Sequence, residues 1–235
     1  MAGAIDNVMP VGRWQFDGDV TDVFDDMLAR SIPHESVMRE LVNEVACRFV
    51  QPGTVVADLG CSRGAALGAL VERFGDGNRF FACDVSEPML EAARARFGSS
   101  VQVVYHDLRS VEPLPFVGAS VVLAVLTLQF TPIEQRFRIL RRIHDSLAPG
   151  GALMLVEKVL GSSAESDELL VNAYYDMKRR NGYTDEQIDR KRLSLEGVLV
   201  PVTAEWNEAM LGRVGFRPVE CFWRSINFAG WFAVK

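Results

Sequence analysis

The residues with the most chemistry in their spacing lie between positions 55 and 108. An apolar run, Val55 to Ala57, ends at Asp58 and turns through Gly60, Cys61, Ser62 and Gly64 in "DLGCSRGAA". A strand that ends in such a turn and opens a helix brings backbone N–H groups and the positive helix end toward a ligand. A glycine in the turn removes the Cβ that would block close approach. The geometry suits a nucleotide or an analogue. The spacing does not meet the G-x-G-x-x-G dinucleotide fingerprint and no G-K-[ST] follows, which argues against NAD and excludes a P-loop. A second acid, Asp84, ends the next apolar run, "RFFACDV", where a carboxylate accepts hydrogen bonds from two ribose hydroxyls. A third, Asp107 in "VVYHDLRS", stands at the tip of the third run, suited to an adenine amino group. Each acid alone reads equally well as a helix cap or turn residue. The three in order point to an adenosyl ligand, with Val85 and Leu108 flanking it.

The elements that must position these residues are legible as strands interleaved with helices. "TVVADL", "RFFACDV", "VQVVYHD", "ASVVLAVLTLQF" and "ALMLVEKV" read as five buried strands. "AALGALVERF", "EPMLEAARARF" and "IEQRFRILRRIHDSL" read as the helices between them. That alternation predicts a doubly wound, mostly parallel α/β sheet. Two amphipathic stretches precede it, Val20 to Ala29 and "ESVMRELVNEVACRFV", joined by "RSIPHES". After the fifth strand a charged, helix-rich segment interrupts the alternation, read as an insertion or lid over 160–200. The chain closes with "TAEWNEAMLGRVGF", a helix ending at Gly215, and two β-rich runs that predict an antiparallel edge and a seven-stranded total. One domain, 1–235, with an N-terminal helical cap over 1–50, is the simplest division.

With 235 residues, 49% hydrophobic and 24% charged, the chain has globular composition. The formal net charge of -6 repels phosphate backbones and argues against direct nucleic-acid binding. The four cysteines form no C-x-x-C pair, and no leader or bilayer-length apolar run is evident, so a reduced cytoplasm is expected and no membrane. His34, His106 and His144 show no metal-ligand spacing, so no metal is expected. His34 could act as acid or base from the "IPHES" loop, whereas His106 reads as a strand-end residue. "RFRILRRIH" reads as a solvated helix face. The aromatics Phe222, Trp223, Phe228, Trp231 and Phe232 read as core or a dimer face, and a homodimer is expected.

The order of turn, ribose acid, adenine acid and "LAPGGALML" resembles the class I S-adenosylmethionine-dependent methyltransferase superfamily, which implies its Rossmann-like fold. A closer resemblance spans nearly the whole chain. "GRWQFD", "VFDDMLARSIP", "RFVQPGTVVADLGCSRGAA", "LTLQF", "LAPGGALMLVEK", "DMKRRNGYTDEQIDRKRLSLEGVL" and "INF" are similar to segments of the carboxy-S-adenosyl-L-methionine synthase family. The resemblance implies conversion of S-adenosylmethionine and prephenate to the carboxylated sulfonium, with phenylpyruvate and water released, for tRNA wobble-uridine modification by a separate enzyme. It implies that Arg192 holds the new carboxylate; spacing alone reads Arg192 as a solvated arginine in a basic run. A planar guanidinium suits a carboxylate because it can bond both oxygens. Two positions depart from the family pattern. Glu35 stands where a ligand-contacting tyrosine is expected, with His34 in place of a glycine, and Val125 stands where an asparagine is expected. An added carboxylate repels an anionic ligand unless paired, and could act as a base. A methyltransferase acting on a small metabolite therefore stays open as the alternative, as does a non-catalytic binding module.

Overall fold

The computed structural model describes residues 5–235; the first four residues of the expected N-terminal cap lie outside the described residues. The sheet carries strands β1 (Val55–Leu59), β2 (Arg79–Asp84), β3 (Gln102–Tyr105), β4 (Ala119–Val125), β5 (Leu147–Leu160), β6 (Val202–Thr203), β7 (Val219–Ser225) and β8 (Phe228–Val234). Seven of them run in the order β3-β2-β1-β4-β5-β8-β7, and the two-residue β6 pairs beside β5. The expected count of seven thus becomes eight, because the chain leaving the insertion briefly adds onto β5 through Val202 and Thr203. β1 to β5 are parallel and β8 is antiparallel to both β5 and β7, giving the antiparallel edge the closing runs predict.

Helices cover both faces, because parallel strands joined by crossovers must be buried on both sides. On one face α5 (Ile133–Ser146) and α8 (Ala204–Val214) pack Ile139, Leu140, Ile143, Leu211 and Val214 against the sheet. On the other, α2 (Glu35–Ala46), α3 (Gly68–Phe74) and α4 (Glu87–Phe97) pack Met38, Val42, Leu70 and Leu90. α1 (Gly18–Ser31) starts where the Asp17 side chain accepts from the Val20 amide, 3.0 Å, and its Val20, Phe24 and Met27 pack with Trp14 and Met89. The insertion folds as α6 (Ala164–Arg180) and α7 (Asp185–Leu195), each opened by a reciprocal Ser or Thr capping box. The N-terminal segment is strapped to it: the Trp14 amide donates to the Ser194 carbonyl at 2.8 Å, and Asp6 pairs with Lys191.

Two elements differ from the sequence reading in ways that shape the site. The fourth strand stops at Val125; Leu126 has φ +60°, and Leu128–Phe130 form a 3-10 turn whose Leu128 amide donates to the buried Glu157 carboxylate at 3.0 Å. The helix after the glycine turn begins at Gly68 rather than at Ala65, and has seven residues. The arginines of α5 are only in part the solvated face expected: Arg141 is exposed, Arg138 and Arg142 are half-buried and Arg136 is buried. Arg136 is 1% exposed and donates to the carbonyls of Thr131 and Val200, while Arg138, Arg141 and Arg142 donate to the carbonyls of Arg109, Val214 and Ser110. They staple loops, because a guanidinium offers five donors to carbonyls that no ladder satisfies.

Candidate active site

A cavity of about 340 Å³ opens at the C-terminal ends of β1, β2 and β4, where the strand order reverses between β1 and β4. Open α/β sheets bind ligands at this point. Asp58, Gly60, Cys61, Ser62, Asp84, Val85, Asp107, Leu108 and Val125 all line it. The nine positions expected to hold the ligand, eight at the turn and the next two strand tips and Val125 from the family resemblance, are therefore brought together.

How they are held differs from the expectation. The Gly60 and Cys61 amides both donate to the Cys83 carbonyl, at 2.7 and 2.9 Å, and the Ser62 amide donates to Asp84 Oδ2 at 2.8 Å. The Gly60, Cys61 and Ser62 amides are thus engaged inside the protein, and the helix that follows starts only at Gly68. Gly60 is required for its φ of +71° and because a Cβ there would come within 2.4 Å of the Thr127 side chain, so its tightness is internal as well.

Asp84 accepts from three amides: Ser62 on Oδ2, and Val85 (2.7 Å) and Ser86 (3.0 Å) on Oδ1. Each carboxylate oxygen has two acceptor positions, so capacity for ribose hydroxyls remains. Asp107 is clasped by Arg109 through bonds of 2.8 and 2.9 Å, which holds its carboxyl below the usual range. Asp58 is the exception. It is buried, its Oδ2 has no partner among the described residues, and burial pushes its pKa up to about 7, with Arg39 opposing and Asp84 adding. An orphaned acceptor at the turn fits a cationic or N–H donor on a ligand. His106 lines the cavity too, as more than a strand-end residue; burial and Arg142 lower its pKa, and its buried Nε2 has no partner among the described residues.

The three catalytic candidates are not brought to the cavity wall of the single chain. Glu35 opens α2 and pairs with Arg39 one turn on, and it is Arg39 that lines the cavity. The extra carboxylate is thus paired, and its i,i+4 partner was visible in "ESVMR". His34 has φ +52°, and its Nδ1 lies 3.0 Å from Ser225 Oγ, away from the lining. Arg192 is 44% exposed on α7 and pairs with Glu196 at 3.0 Å and Asp189 at 3.7 Å. A helix shows its successive residues at about 100° to one another, so Lys191 faces inward while Arg192 faces out.

Other side chains complete the wall. Trp14, Phe16 and Phe24 come from the N-terminal segment and α1. Phe130 follows β4. Lys158, Tyr174, Lys178 and Lys191 come from β5, α6 and α7. Sequence reasoning missed them because they belong to the cap, the insertion and the fifth strand, whose helical or alternating pattern says only that they are half-buried. Among the described residues no group of His, Cys, Asp and Glu is arranged to hold a metal, and no helix is long and apolar enough to cross a membrane.

Comparison with known proteins places the chain in a family. A methyltransferase-domain family model matches residues 56–151, the stretch from β1 into β5. The carboxy-S-adenosyl-L-methionine synthase of Methylococcus capsulatus is 41% identical over 226 residues, covering 94% of this chain and 93% of that protein. The synthase of Shewanella amazonensis is 39% identical over 227 residues, 95% of this chain and 93% of its own length. The chain belongs to the carboxy-S-adenosyl-L-methionine synthase family. Among solved structures, an O-methyltransferase family protein from Burkholderia thailandensis superposes with a TM-score of 0.64 at 19% identity, covering 94% of this chain and 60% of that one. Human N-acetylserotonin methyltransferase, solved with S-adenosylmethionine, gives 0.63 at 16% identity, covering 93% and 55%. At such identities the likeness is one of fold, the class I methyltransferase fold that the strand order displays.

Proposed function

We propose that the protein is an S-adenosylmethionine-binding enzyme that converts S-adenosylmethionine and prephenate to carboxy-S-adenosyl-L-methionine, releasing phenylpyruvate and water. The carboxylated product would serve tRNA wobble-uridine modification by another enzyme in the cytoplasm. One observation carries the reading: a single cavity joins three strand-tip acids to a cationic, aromatic-walled far side, in a chain whose relatives over nearly its whole length are named for that product. In this reading Asp84 holds the ribose and Asp107 with Leu108 the adenine edge. Val85 and Val125 flank the ring system, and Asp58 with the Gly60–Ser62 turn receives the ammonium of the methionyl part. The chain's residues then have two tasks, to hold the sulfonium methyl against the acid and to keep bulk water out.

The atoms balance. Prephenate loses carbon dioxide and a ring hydroxide and becomes aromatic as phenylpyruvate. The sulfonium methyl gives up a proton, which leaves with the hydroxide as water, and the carbon so exposed bonds to carbon dioxide. A dry, closed site is needed because both the carbon nucleophile and the gas are lost to solvent. The N-terminal cap and the 160–200 insertion, which supply much of the cavity wall, are proposed to act as that cover. Arg192 retains by family resemblance the proposed role of holding the new carboxylate, although it lies outside the wall of its own chain; His34 and Glu35 remain weaker candidates for proton transfer. A homodimer is part of the proposal, checked by the mass of the purified protein in solution.

Incubation of the pure protein with S-adenosylmethionine and prephenate, followed by mass spectrometry, tests the reading. The expected product is S-adenosylmethionine heavier by one carbon dioxide, formed together with phenylpyruvate. Absence of that product, with S-adenosylhomocysteine accumulating in the presence of a small-molecule acceptor, would establish the alternative, a small-metabolite methyltransferase.

A further inference from the structure

Two ammonium groups on the far side of the cavity have no matching charge in contact with them. Lys158 near the end of β5 and Lys178 on α6 both line the cavity, and Lys178 is 5% exposed. Among the described residues, neither Nζ makes an ion pair or a hydrogen bond. What they face is aromatic. Lys158 Nζ lies 4.5 Å from the Tyr174 ring centroid, and Lys178 Nζ lies 5.6 Å from the same ring and 4.8 Å from that of Tyr183. Lys191 beside them is 4% exposed but paired with Asp6, so its charge is matched. Buried charges are normally paired or hydrogen-bonded, because leaving water costs far more than an aromatic face returns. Burial accordingly pushes Lys158 down to about 8 and Lys178 to about 7. Lys191, Lys158 and Arg30 push Lys178 further down, while Asp6 opposes that shift and Asp167 opposes the one at Lys158.

The missing charge does not come from the acids of the same cavity. Asp58, Asp84 and Asp107 stand at the tips of β1 and β2 and just after β3, and β4 separates β1 from β5. We propose that Lys158 and Lys178, rather than Arg192, dock the two carboxylates of the prephenate named above. The inference rests on the reading that the strand-tip side takes the adenosyl ligand. Lys178 is buried and Lys158 half-buried, and two ammoniums that line one cavity with no counter-charge in contact among the described residues call for two negative charges. The rings of Tyr174 and Phe228, which line the cavity beside Lys158, call for an apolar body. The competing occupant is the carboxylate of the adenosyl ligand's own amino-acid part.

Titration calorimetry separates these outcomes. The protein saturated with S-adenosylhomocysteine is titrated with prephenate, and with phenylpyruvate as the monoanion, for the wild type, Lys158→Met, Lys178→Met and the double variant. Methionine keeps the apolar stem and removes the charge, so the fold is retained and the melting temperature holds or rises. Prephenate is expected to bind the wild type at least about tenfold more tightly than phenylpyruvate. Each single variant is expected to weaken prephenate about tenfold or more, and the double variant to abolish measurable binding, as loss of a charge-assisted contact implies. Affinity for S-adenosylhomocysteine stays within about threefold. Unchanged prephenate binding in both variants overturns the proposal, as does a wild type that binds S-adenosylhomocysteine but neither acid. A parallel loss of S-adenosylhomocysteine affinity gives the lysines to the adenosyl ligand's carboxylate instead. A wild type that binds no S-adenosylhomocysteine removes the underlying reading, and this proposal with it.

Discussion

On the β1–β3 side of the cavity most charges are tied down by the chain itself: Asp84 accepts three amides and Asp107 is clasped by Arg109. On the β5–α6 side the Lys158 and Lys178 ammoniums lie over aromatic rings, with no ion pair or hydrogen bond among the described residues. The first side is preorganised before any ligand arrives, at the cost of having its amides already engaged. The second stores unmatched charge that an incoming anion can satisfy. Asp58, with one orphaned oxygen, is the only strand-tip acid among the three that shares the second character. The contrast teaches that one cavity can bind a shape-defined ligand through a rigid frame and a charge-defined one through desolvated cations.

The severest way to break this picture is at the frame. Asp84→Ala frees the amides of Ser62, Val85 and Ser86 together; the Val85 amide is exposed and can turn to water, while the part-buried Ser62 and Ser86 amides cost about 1 kcal/mol each. It is expected to weaken S-adenosylhomocysteine at least a hundredfold by calorimetry and to lower the melting temperature. If affinity survived, the frame would not be what binds. Next comes Gly60→Ala, which forces a side chain into φ +71° against Thr127. About 1–3 kcal/mol of lost stability is expected in urea unfolding, and adding Thr127→Ala, which removes both Cγ2 and Oγ1, should recover only a part due to contact.

Arg39 links the two styles, since it pairs with Glu35 and its charge opposes the upward shift of Asp58. Arg39→Met is expected to cost about 2 kcal/mol by leaving carboxylates short of their counter-charge, and Glu35→Gln in the same chain to recover part of it. A double-mutant cycle in chemical denaturation reads the coupling.

The lysine side is sharpened by pH. Both lysines have folded values below the ordinary 10.5, about 8 and about 7, so the ligand-free protein binds fewer protons than the unfolded chain between those values and 10.5. These two groups therefore add stability as pH rises through that window, and withdraw it as pH falls through 8 and 7. An anion prefers them charged. Prephenate affinity is expected to fall as pH climbs from about 6 to about 9, with proton uptake on binding measurable in buffers of different ionisation enthalpy. The groups facing the lysines that modulate this are Asp6, Arg30, Lys191, Tyr174 and Tyr183 around Lys178, and Asp167 with Tyr174 near Lys158. The smallest stability effect is expected at Arg192→Ala, within about 0.5 kcal/mol, because its ion pairs with Glu196 and Asp189 are exposed. A loss of carboxylated product in that variant then reads a role at the carboxylate rather than a folding defect.

What the sequence by itself determined is the part of the protein governed by local rules. Apolar runs of strand length alternating with helical periods specify the parallel sheet, and acids at the ends of three runs must cluster, because parallel strands end on one edge. Hence Asp58, Asp84 and Asp107 were legible, as were the insertion over 160–200 and the helix stop at Gly215. Tertiary structure alone decided where amides and charges point. That Gly60 and Cys61 donate to Cys83, that Arg192 turns outward while Lys191 turns inward, and that Arg136 serves carbonyls on distant loops depend on residues far apart in the chain. The pairing of Lys191 with Asp6 spans 185 residues, while Lys158 and Lys178 are left facing rings. A lysine reads the same in sequence whether it is solvated, paired or stranded. Its chemistry is set by what surrounds it, and only the packed fold supplies that.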